Sequence, residues 1–447
     1  MNLSKMTRDM TEGSIAPKLL FFAFPIMFSS LFHLVYSLAD SLVVGRFIGG
    51  NALAAVSVTG NATYLMFSIS GGINMGSSVV LAQAYGARDQ KKMKQVISTS
   101  VAVLGITAVL FTLIGMLTAD LVLHIIQTPE EIYGMAKSYM MIIFAGTLGS
   151  VFYNWLASLL RAFGNSFVPL LCLIFSGILN VILDLAFVLG FGMGIEGAAL
   201  ATVLSQILSG LLCFGYAWKQ FPVFHLKREE WTLDKGVLKK ILLIGIPAAI
   251  QNSIITVSNM VLQGVLNTYG TTMVLAYGIV SKYELICMQV GDSLGTALST
   301  FAGQNMGAGK MDRVIRSVKT TALLNFAGYA IVSPLIFATA EGCMRIFTDN
   351  SQAIGIGIRF LRIYAVFFPA LGILILFQNF LRSVGDIKAT IWMGICEVIS
   401  RSVFALGLPF LFHAAGLMLV SPFTWAASML LGLALYLSGQ WKRKSLL

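Results

Sequence analysis

The sequence is poor in charged residues and in cysteine. Only 11% of its 447 residues are charged and 57% are apolar, which gives a mean hydropathy of +0.84, whereas about a quarter of a soluble domain is charged. The five cysteines are scattered without a CxxC pair, and four of them fall within apolar runs. We therefore expect no disulfide and no metal site built on cysteine. The composition excludes an ordinary soluble domain and indicates a polytopic membrane protein.

Other signatures are also missing. The four histidines stand apart, at positions 33, 124, 225 and 413, so the sequence does not offer the clustered His/Asp or Ser/His groups of a membrane-embedded enzyme. Gly307-Ala-Gly-Lys310 resembles the end of a phosphate-binding loop, but Gln304 occupies the position of its first glycine and Met311 follows the lysine. The net charge of +11 comes from basic residues in loops between apolar runs, where they orient a membrane protein. We expect a protein that is not an enzyme, needs no cofactor and binds no nucleic acid.

Apolar runs long enough to span a bilayer, about 20 residues as a helix, recur through the whole chain. Twelve can be distinguished, and they predict an all-α polytopic membrane protein with twelve transmembrane helices. Pro25, Pro247 and Pro369 fall within these runs and are candidate kinks. The runs lie at 18–44, 53–82, 95–118, 135–160, 167–189, 195–217, 238–266, 273–302, 316–340, 357–381, 389–411 and 414–438.

An internal repeat divides the twelve helices into two sets of six. The segment that begins at Gln83 recurs 221 positions later at Gln304, and the segment that begins at Leu160 recurs at Leu381 with the same offset. Since six is even, both halves enter the membrane from the same side, and we expect two six-helix lobes related by a pseudo-twofold axis along the membrane normal. The predicted domains are an amino-terminal lobe at 1–217, a cytoplasmic linker at 218–237, a carboxyl-terminal lobe at 238–441 and a basic cytoplasmic tail at 442–447.

Lysine and arginine indicate how the chain is oriented. If both termini lie in the cytoplasm, 23 of the 30 basic residues fall in cytoplasmic segments and five fall in outer segments. Cytoplasmic loops of membrane proteins carry this excess of basic residues. We therefore expect a multi-pass protein with both termini in the cytoplasm.

The first apolar run is the most informative stretch, because it contains a carboxylate. An ionised carboxylate in hydrocarbon is costly, so Asp40 is expected to face an aqueous path or a partner group. Tyr36 and His33 lie four and seven residues earlier, on the same helical face. The alternative is that Asp40 only ties two helices together by hydrogen bonds. We interpret Asp40 as part of an ion or proton path, with Tyr36 and His33 as candidates for a substrate cavity.

Four further polar residues of the first half are predicted to lie at a similar depth. Asn180 and Asp184 share one face of the fifth span, Thr202 lies on the sixth, and Tyr139 lies near the start of the fourth. Apart from Asn180, one turn deeper, they lie with Asp40 within about 5–10 Å of the outer boundary. Carboxylate, amide and hydroxyl oxygens suit a hard cation, and two carboxylates can also share a proton. The five residues are therefore a candidate cation site.

The second half does not repeat this cluster. Glu284 and Lys282 stand on the eighth span and Gln378 on the tenth. Lys282 and Glu284 do not share a helical face, so we expect each to pair across helices. Glu397 and Arg401 are four residues apart on the eleventh span and predict an intrahelical ion pair. Glu284 is the candidate for a second ion site and, with Gln378, for the substrate cavity.

The chain resembles the multidrug and toxic compound extrusion (MATE) family, part of the multidrug, oligosaccharidyl-lipid and polysaccharide flippase (MOP) superfamily. The resemblance covers nearly the whole sequence, and the combination of Asp40 with Asn180, Asp184 and Thr202 is similar to the DinF-type branch, in which the amino-terminal half carries the cation site. The most specific segments are 40–46 (DSLVVGR), 161–165 (RAFGN), 303–310 (GQNMGAGK) and 382–386 (RSVGD).

This resemblance implies secondary active efflux. Na⁺ or H⁺ would enter down its gradient while an organic, often cationic, compound leaves, by alternating access between the two lobes. Asp40, Asn180, Asp184 and Thr202 would bind the coupling ion, as Na⁺ ligands if sodium is that ion, with Tyr139 beside them. The implied partners are small organic molecules and the lipid bilayer of the bacterial cytoplasmic membrane, where the protein would act as a monomer. The alternatives are a flippase of lipid-linked precursors or polysaccharide, and a channel, whose flux needs no countertransport.

Overall fold

The computed structural model describes residues 7–443, apart from the side chains at 61, 62, 64–66, 254, 257 and 443. The regular structure of this part of the chain is helical throughout. Its α-helices are α1 Ile15–Val43, α2 Gly50–Gly86, α3 Gln90–Ile125, α4 Glu130–Ala145, α5 Thr147–Ala162, α6 Phe167–Leu185, α7 Gly194–Gln220, α8 Lys235–Asn267, α9 Thr271–Gly307, α10 Met311–Arg345, α11 Ser351–Ser383, α12 Ile387–Phe412 and α13 Ala414–Leu437.

Twelve membrane-length segments can be assigned within the described residues. Ten helices, all except α2, α4 and α5, are long and apolar enough to cross a membrane. Helices α4 and α5 meet at a 50° bend and together count as an eleventh segment, and α2, with 37 residues, is the remaining long helix. The predicted all-α fold with twelve transmembrane helices is confirmed.

The break between α4 and α5 falls at Gly146. A Cβ at this position would collide with the side chain of Val203 on α7. Beside the break, the hydroxyl of Thr112 on α3 donates to the backbone carbonyl of Phe144 at 2.9 Å. Helices α1, α8 and α11, in contrast, continue through the three prolines that were expected to kink them. The 50° bend between α4 and α5 therefore coincides with close helix packing at a glycine.

Contacts divide the described residues into two units. The amino-terminal unit contains residues 7–9 and 28–249, and the carboxyl-terminal unit contains residues 10–27 and 250–443. These boundaries differ from the lobe boundaries predicted at 217 and 238. The first part of α1 belongs to the carboxyl-terminal unit, and the first part of α8, with the linker, belongs to the amino-terminal unit. Residues 444–447 of the predicted tail lie outside the described residues.

Close packing explains where the first parts of α1 and α8 belong. Phe22 and Ile26 of α1 are buried in one cluster with Phe301 of α9, in the carboxyl-terminal unit. In the amino-terminal unit, a Cβ at Gly72 of α2 would collide with the backbone carbonyl of Gly245 in α8. Small residues allow membrane helices to approach this closely. Packing, rather than order along the chain, therefore determines to which unit the first parts of α1 and α8 belong.

The segment that resembles a phosphate-binding loop, residues 304–310, hydrogen-bonds to the backbone of residues 10 and 11. Gln304 accepts the backbone N–H of Met10 at 3.0 Å, and the side-chain amide of Asn305 donates to the Met10 carbonyl at 3.0 Å. The ammonium group of Lys310 donates to the carbonyl of Thr11 at 2.9 Å. All of these residues belong to the carboxyl-terminal unit. The polar residues of this motif therefore fix the segment that precedes α1.

The internal repeat appears as the same turn in both halves. Gly164 follows α5 with φ +84°, and Gly385 follows α11 with φ +78°, a region that favours glycine. Asn165 then accepts the backbone N–H three residues later at 3.0 Å and caps α6. Asp386 accepts its equivalent N–H at 3.2 Å and caps α12. The repeated LRxxG motif thus ends one membrane helix and begins the next.

Candidate cation site

Asp40 and Asp184 each precede a π-helical turn. Helix α1 continues as the π turn Val44–Ile48, and α6 continues as the π turn Ala186–Gly190. The two π turns contact each other within the amino-terminal unit. Turns of this type are frequent at functional sites, because they interrupt the regular hydrogen-bond pattern of the helix. Both carboxylates therefore lie next to backbone that departs from the α-helix.

The side chains of Asp40 and Asp184 lie within hydrogen-bonding range of each other. Asp184 is fully buried. Two ionised carboxylates cannot donate to each other, and neither oxygen of Asp184 nor Oδ1 of Asp40 has a hydrogen-bond partner among the described residues. Buried carboxylate oxygens without partners are costly. A proton or a cation between the two groups would supply the missing partner.

Asn180 adds a neutral oxygen to this site. It lies one turn before Asp184 on α6 and is buried. Its Nδ2 donates to the hydroxyl of Thr202 on α7 at 3.4 Å, and Thr202 donates to the carbonyl of Ala198 at 3.1 Å. Among the described residues, the Oδ1 of Asn180 has no donor. Thr202 therefore orients the amide, and Asn180 presents an acceptor on the same helical face as Asp184.

Gly177 permits the approach of α1 to α6 beside the site. A Cβ at Gly177 would lie 2.7 Å from Cε1 of Phe32 and 3.3 Å from Cβ of Tyr36. Tyr36 is one turn before Asp40 on α1, and Gly177 is two turns before Asp184 on α6. The missing side chain at Gly177 thus lets the two carboxylates come together.

Two phenols and an amide surround the carboxylate pair. The charges of both carboxylates act on Tyr36 of α1 and on Tyr139 of α4, and Tyr36 hydrogen-bonds to Gln206 of α7. The ring of His33 lies edge-on to that of Tyr36, with 5.0 Å between their centroids. Sequence reasoning missed Gln206, although it stands four residues after Thr202, on the same face of α7. All the polar residues predicted for the first half lie in the amino-terminal unit.

The carboxyl-terminal unit contains a separate charged group. The predicted ion pair is confirmed, with Nη2 of Arg401 3.3 Å from Oε1 of Glu397. Gln378 donates to the other oxygen of Glu397 at 3.1 Å. Lys282 and Glu284 were each predicted to pair with a residue of another helix, but neither forms a salt bridge within residues 7–443. The charge of Arg401 on α12 nevertheless acts on Glu284. The side chain of Lys282 is exposed, so its ammonium group has no need of a buried partner.

Comparison with known proteins shows to which family the chain belongs. The MatE family model matches residues 25–186 and, a second time, residues 247–406. The chain belongs to the MatE family. It is 30% identical over 379 residues to "Probable multidrug resistance protein YpnP" of Bacillus subtilis, and the match covers 84% of each chain. Its fold is similar to that of a MATE protein in the bent conformation, with a TM-score of 0.91, 19% identity and coverage of 99% of this chain and 98% of that one. A MOP superfamily transporter from Pyrococcus furiosus gives a TM-score of 0.89, 20% identity and coverage of 96% and 98%.

Membership of the MatE family confirms two predictions. The chain is a multi-pass membrane transporter, and it is not an enzyme. The double match of one family model also agrees with the internal repeat, because each half is matched separately. The assignment to the DinF-type branch stays a prediction.

Proposed function

We propose that this MatE protein exports small organic compounds, often cationic ones, in exchange for Na⁺ or H⁺. The observation that carries the proposal is the set of buried oxygens on Asp40, Asn180 and Asp184 that receive no hydrogen bond from any described residue. A site of this kind needs a cation or a proton to complete it. The name of the relative YpnP supports organic compounds as the exported substrates.

The coupling ion is held by oxygens of the amino-terminal unit. A proton bridges Asp40 and Asp184, whereas Na⁺ is bound by carboxylate oxygens together with Oδ1 of Asn180. Thr202 fixes the amide for this purpose, and Tyr139 closes the site on the side of α4. Either ion reduces the net negative charge of the pair by one.

Coupling follows from the effect of this charge on helix packing. Without the ion, the two carboxylates repel each other at short range; with it, they are held together. Asp40 transmits the difference to α1, where the π turn Val44–Ile48 interrupts the regular helix close by. Ion and substrate must stabilise different states of the transporter, or compete for the same carboxylates. Alternating access between the two lobes then carries the substrate outward.

Candidate substrate contacts can be named in each unit by itself. Tyr36 and His33 provide aromatic surface one and two turns from Asp40. Gln378 donates a hydrogen bond to Glu397, so its role is to position that carboxylate. Glu284 forms no hydrogen bond or salt bridge within residues 7–443 and is the strongest substrate-contacting candidate of the carboxyl-terminal unit.

We place the transporter, as a monomer, in the bacterial cytoplasmic membrane with both termini in the cytoplasm. The distribution of lysine and arginine supports this orientation, and the matched relatives are bacterial. The linker then lies on the cytoplasmic side, where it is attached to α3. Lys94 forms an ion pair with Glu230 at 2.7 Å, and Ser98 donates to the carbonyl of Thr232 at 2.9 Å.

Efflux of ethidium from cells tests the proposal. Wild type is compared with Asp40→Asn and with the control Asp120→Asn, which removes an exposed carboxylate paired with Lys137 at 2.8 Å. A Na⁺ pulse and a pH pulse are applied separately. We expect one of the pulses to accelerate efflux in wild type and in the control, and to have no effect in Asp40→Asn.

Active, ion-stimulated efflux by Asp40→Asn would contradict the assignment of the coupling residue. The absence of efflux from all three proteins at equal expression would contradict organic export and favour a flippase of lipid-linked precursors.

A further inference from the structure

Two lysine side chains converge at one end of the amino-terminal unit. Lys92 stands in the first turn of α3 and Lys240 in the second turn of α8, and their ammonium groups lie within hydrogen-bonding range of each other. Both residues are half-buried. Two like charges repel each other at this separation, and the repulsion increases where water is partly excluded. An anion between the two ammonium groups would convert this repulsion into attraction.

The acidic residues nearby offset only part of the positive charge. The charge of Asp234 acts on Lys240, but one of its carboxylate oxygens also caps the start of α8. Glu230 forms its ion pair with Lys94, at 2.7 Å. The group formed by Lys92, Lys240 and Asp234 therefore keeps a net charge of +1.

The surface around the two lysines is also basic. Residues 88–94 and 227–240, which we call the basic patch, contain nine lysines and arginines and four acidic residues. Both ranges belong to the amino-terminal unit. The rule that orients membrane proteins accounts for basic residues in a cytoplasmic segment, but it does not require two of them to converge. Clusters of about four to eight basic residues next to a transmembrane helix are typical of segments that bind anionic lipid headgroups.

The basic patch also holds two large apolar side chains in contact with the surroundings. Trp231 is 55% exposed and Leu233 is 49% exposed. The backbone between them is fixed to α3, because the hydroxyl of Ser98 accepts the N–H of Thr232 at 2.9 Å and donates to its carbonyl at 2.9 Å. Ser98 lies six residues after Lys92, which is about 9 Å along the axis of α3. Tryptophan is enriched where hydrocarbon meets the headgroups, and this segment presents one beside basic residues.

An anionic phospholipid fits the basic patch better than a free anion does. Inorganic phosphate would contact the ammonium groups of Lys92 and Lys240 but would leave Trp231 and Leu233 exposed to water. A phospholipid carries its phosphate next to glycerol and acyl chains, so one molecule can contact both the charged and the apolar side chains. Charge and apolar surface together favour binding of this kind at a membrane surface.

We propose that the headgroup phosphate of an anionic phospholipid binds between Lys92 and Lys240. Trp231 and Leu233 lie against the glycerol and the upper part of the acyl chains. This lipid site goes beyond the proposed export function, and it rests on the proposed orientation only for the assignment to the cytoplasmic leaflet.

Quenching of tryptophan fluorescence by brominated lipids tests the proposal. The purified full-length protein is kept in phosphatidylcholine-containing micelles, and phosphatidylglycerol with brominated acyl chains is titrated in. Brominated phosphatidylcholine, titrated in parallel, measures contact with any lipid. The difference between wild type and Trp231→Phe isolates the signal of Trp231. We expect Trp231 to reach half-maximal quenching at a mole fraction of phosphatidylglycerol at least fivefold lower than that of phosphatidylcholine.

Charge variants test the two lysines. In Lys92→Gln/Lys240→Gln we expect the preference for phosphatidylglycerol to be lost, because both ammonium groups are removed. The control Arg316→Gln/Lys319→Gln removes two positive charges at exposed positions of α10 and should change the preference less than twofold. Lys92→Arg/Lys240→Arg keeps the charges and should retain the preference.

The single variant Lys240→Gln provides the same test if the double variant does not fold, and it should lower the preference at least twofold. Size-exclusion profiles and thermal melting establish that the compared proteins are folded.

Equal quenching of Trp231 by the two lipids in wild type would overturn the proposal, and so would an unchanged preference in folded Lys92→Gln/Lys240→Gln. Displacement of phosphatidylglycerol by inorganic phosphate, but not by chloride at equal ionic strength, would assign the lysines to a free anion and would also overturn it. Since the assay involves no transport, these outcomes leave the export proposal intact. That proposal is tested by the efflux of Asp40→Asn.

Discussion

Asp40 and Asp184 approach within hydrogen-bonding range from two different helices, and both oxygens of Asp184 are without a donor in the part of the chain that the structure describes. In the proposed mechanism, this proximity lets a single monovalent ion change the packing of α1. One ion or proton would convert the repulsive pair into an attractive one, and both partners are followed by π turns that contact each other.

Filling the space at Gly177 should separate the two carboxylates. In Gly177→Val the new side chain meets Phe32 and Tyr36, and overpacking of this kind costs about 1–3 kcal/mol. We expect a lower melting temperature and a loss of ion-driven transport. Gly105→Ala on α3 is the control, because nothing lies within 4 Å of its added Cβ and alanine favours the helix by up to about 1 kcal/mol. Equal melting temperatures and transport for the two variants would show that Gly177 does not set the α1–α6 contact.

The caps of the repeated turn should contribute measurably to stability. Asp386→Ala removes the acceptor for the first turn of α12, and the loss of such a cap costs about 1 kcal/mol. Asp386→Asn keeps a capping oxygen and should retain most of the stability. The control Asp349→Ala changes an exposed aspartate one residue before the cap of α11. Thermal unfolding in detergent measures all three, and a melting temperature of Asp386→Ala equal to that of Asp349→Ala would contradict the cap assignment.

The attachment of the linker to α3 should weaken in acid. Hydrogen bonds from Lys94 and from the backbone N–H of Lys227 lower the pKa of Glu230 below its ordinary value. A carboxyl group with a lowered folded-state pKa stabilises the folded linker above its ordinary pKa, and this stabilisation is lost as pH falls through the folded-state pKa. Hydrogen exchange of residues 228–234, corrected for intrinsic rates, should therefore accelerate in acid.

Glu230→Gln should remove this pH dependence and should exchange at neutral pH as the acidified wild type does. The control Glu229→Gln, at the exposed neighbouring position, should keep the wild-type profile. An identical pH profile in wild type and Glu230→Gln would contradict the role of the Lys94–Glu230 pair.

The spans and the polar cluster of the first half could be predicted from the sequence. Apolar runs of bilayer length leave few alternatives to helices, and the high cost of burying a charge identifies Asp40 and Asp184 as exceptional. The repeat of Leu160–Asn165 at Leu381 also has a direct structural counterpart, because the same glycine turn and the same cap are required at both positions.

The features that the sequence could not predict depend on contacts between distant segments. The collision that prevents a side chain at Gly146 comes from α7, and the one at Gly177 comes from α1. The division within α1 and α8 likewise depends on which helices they pack against. The sequence contains no periodic pattern that predicts the two π turns. Gln206 could not be singled out, because it is one polar residue among several on α7. The pairing expected for Lys282 was wrong because an exposed lysine does not require a buried partner.

Ion-driven accumulation of ethidium by proteoliposomes tests the central claim most directly, because it requires coupling and not only substrate passage. Outward gradients of Na⁺ and of H⁺, with the ion more concentrated inside the vesicles, are imposed separately on wild type, Asp40→Asn, Asp184→Asn and Asp120→Asn. We predict uphill transport by wild type and Asp120→Asn with one of the two ions. For Asp40→Asn and Asp184→Asn we predict only downhill exchange. Uphill transport by either of these two variants at the wild-type rate would show that the Asp40–Asp184 pair is not the coupling site.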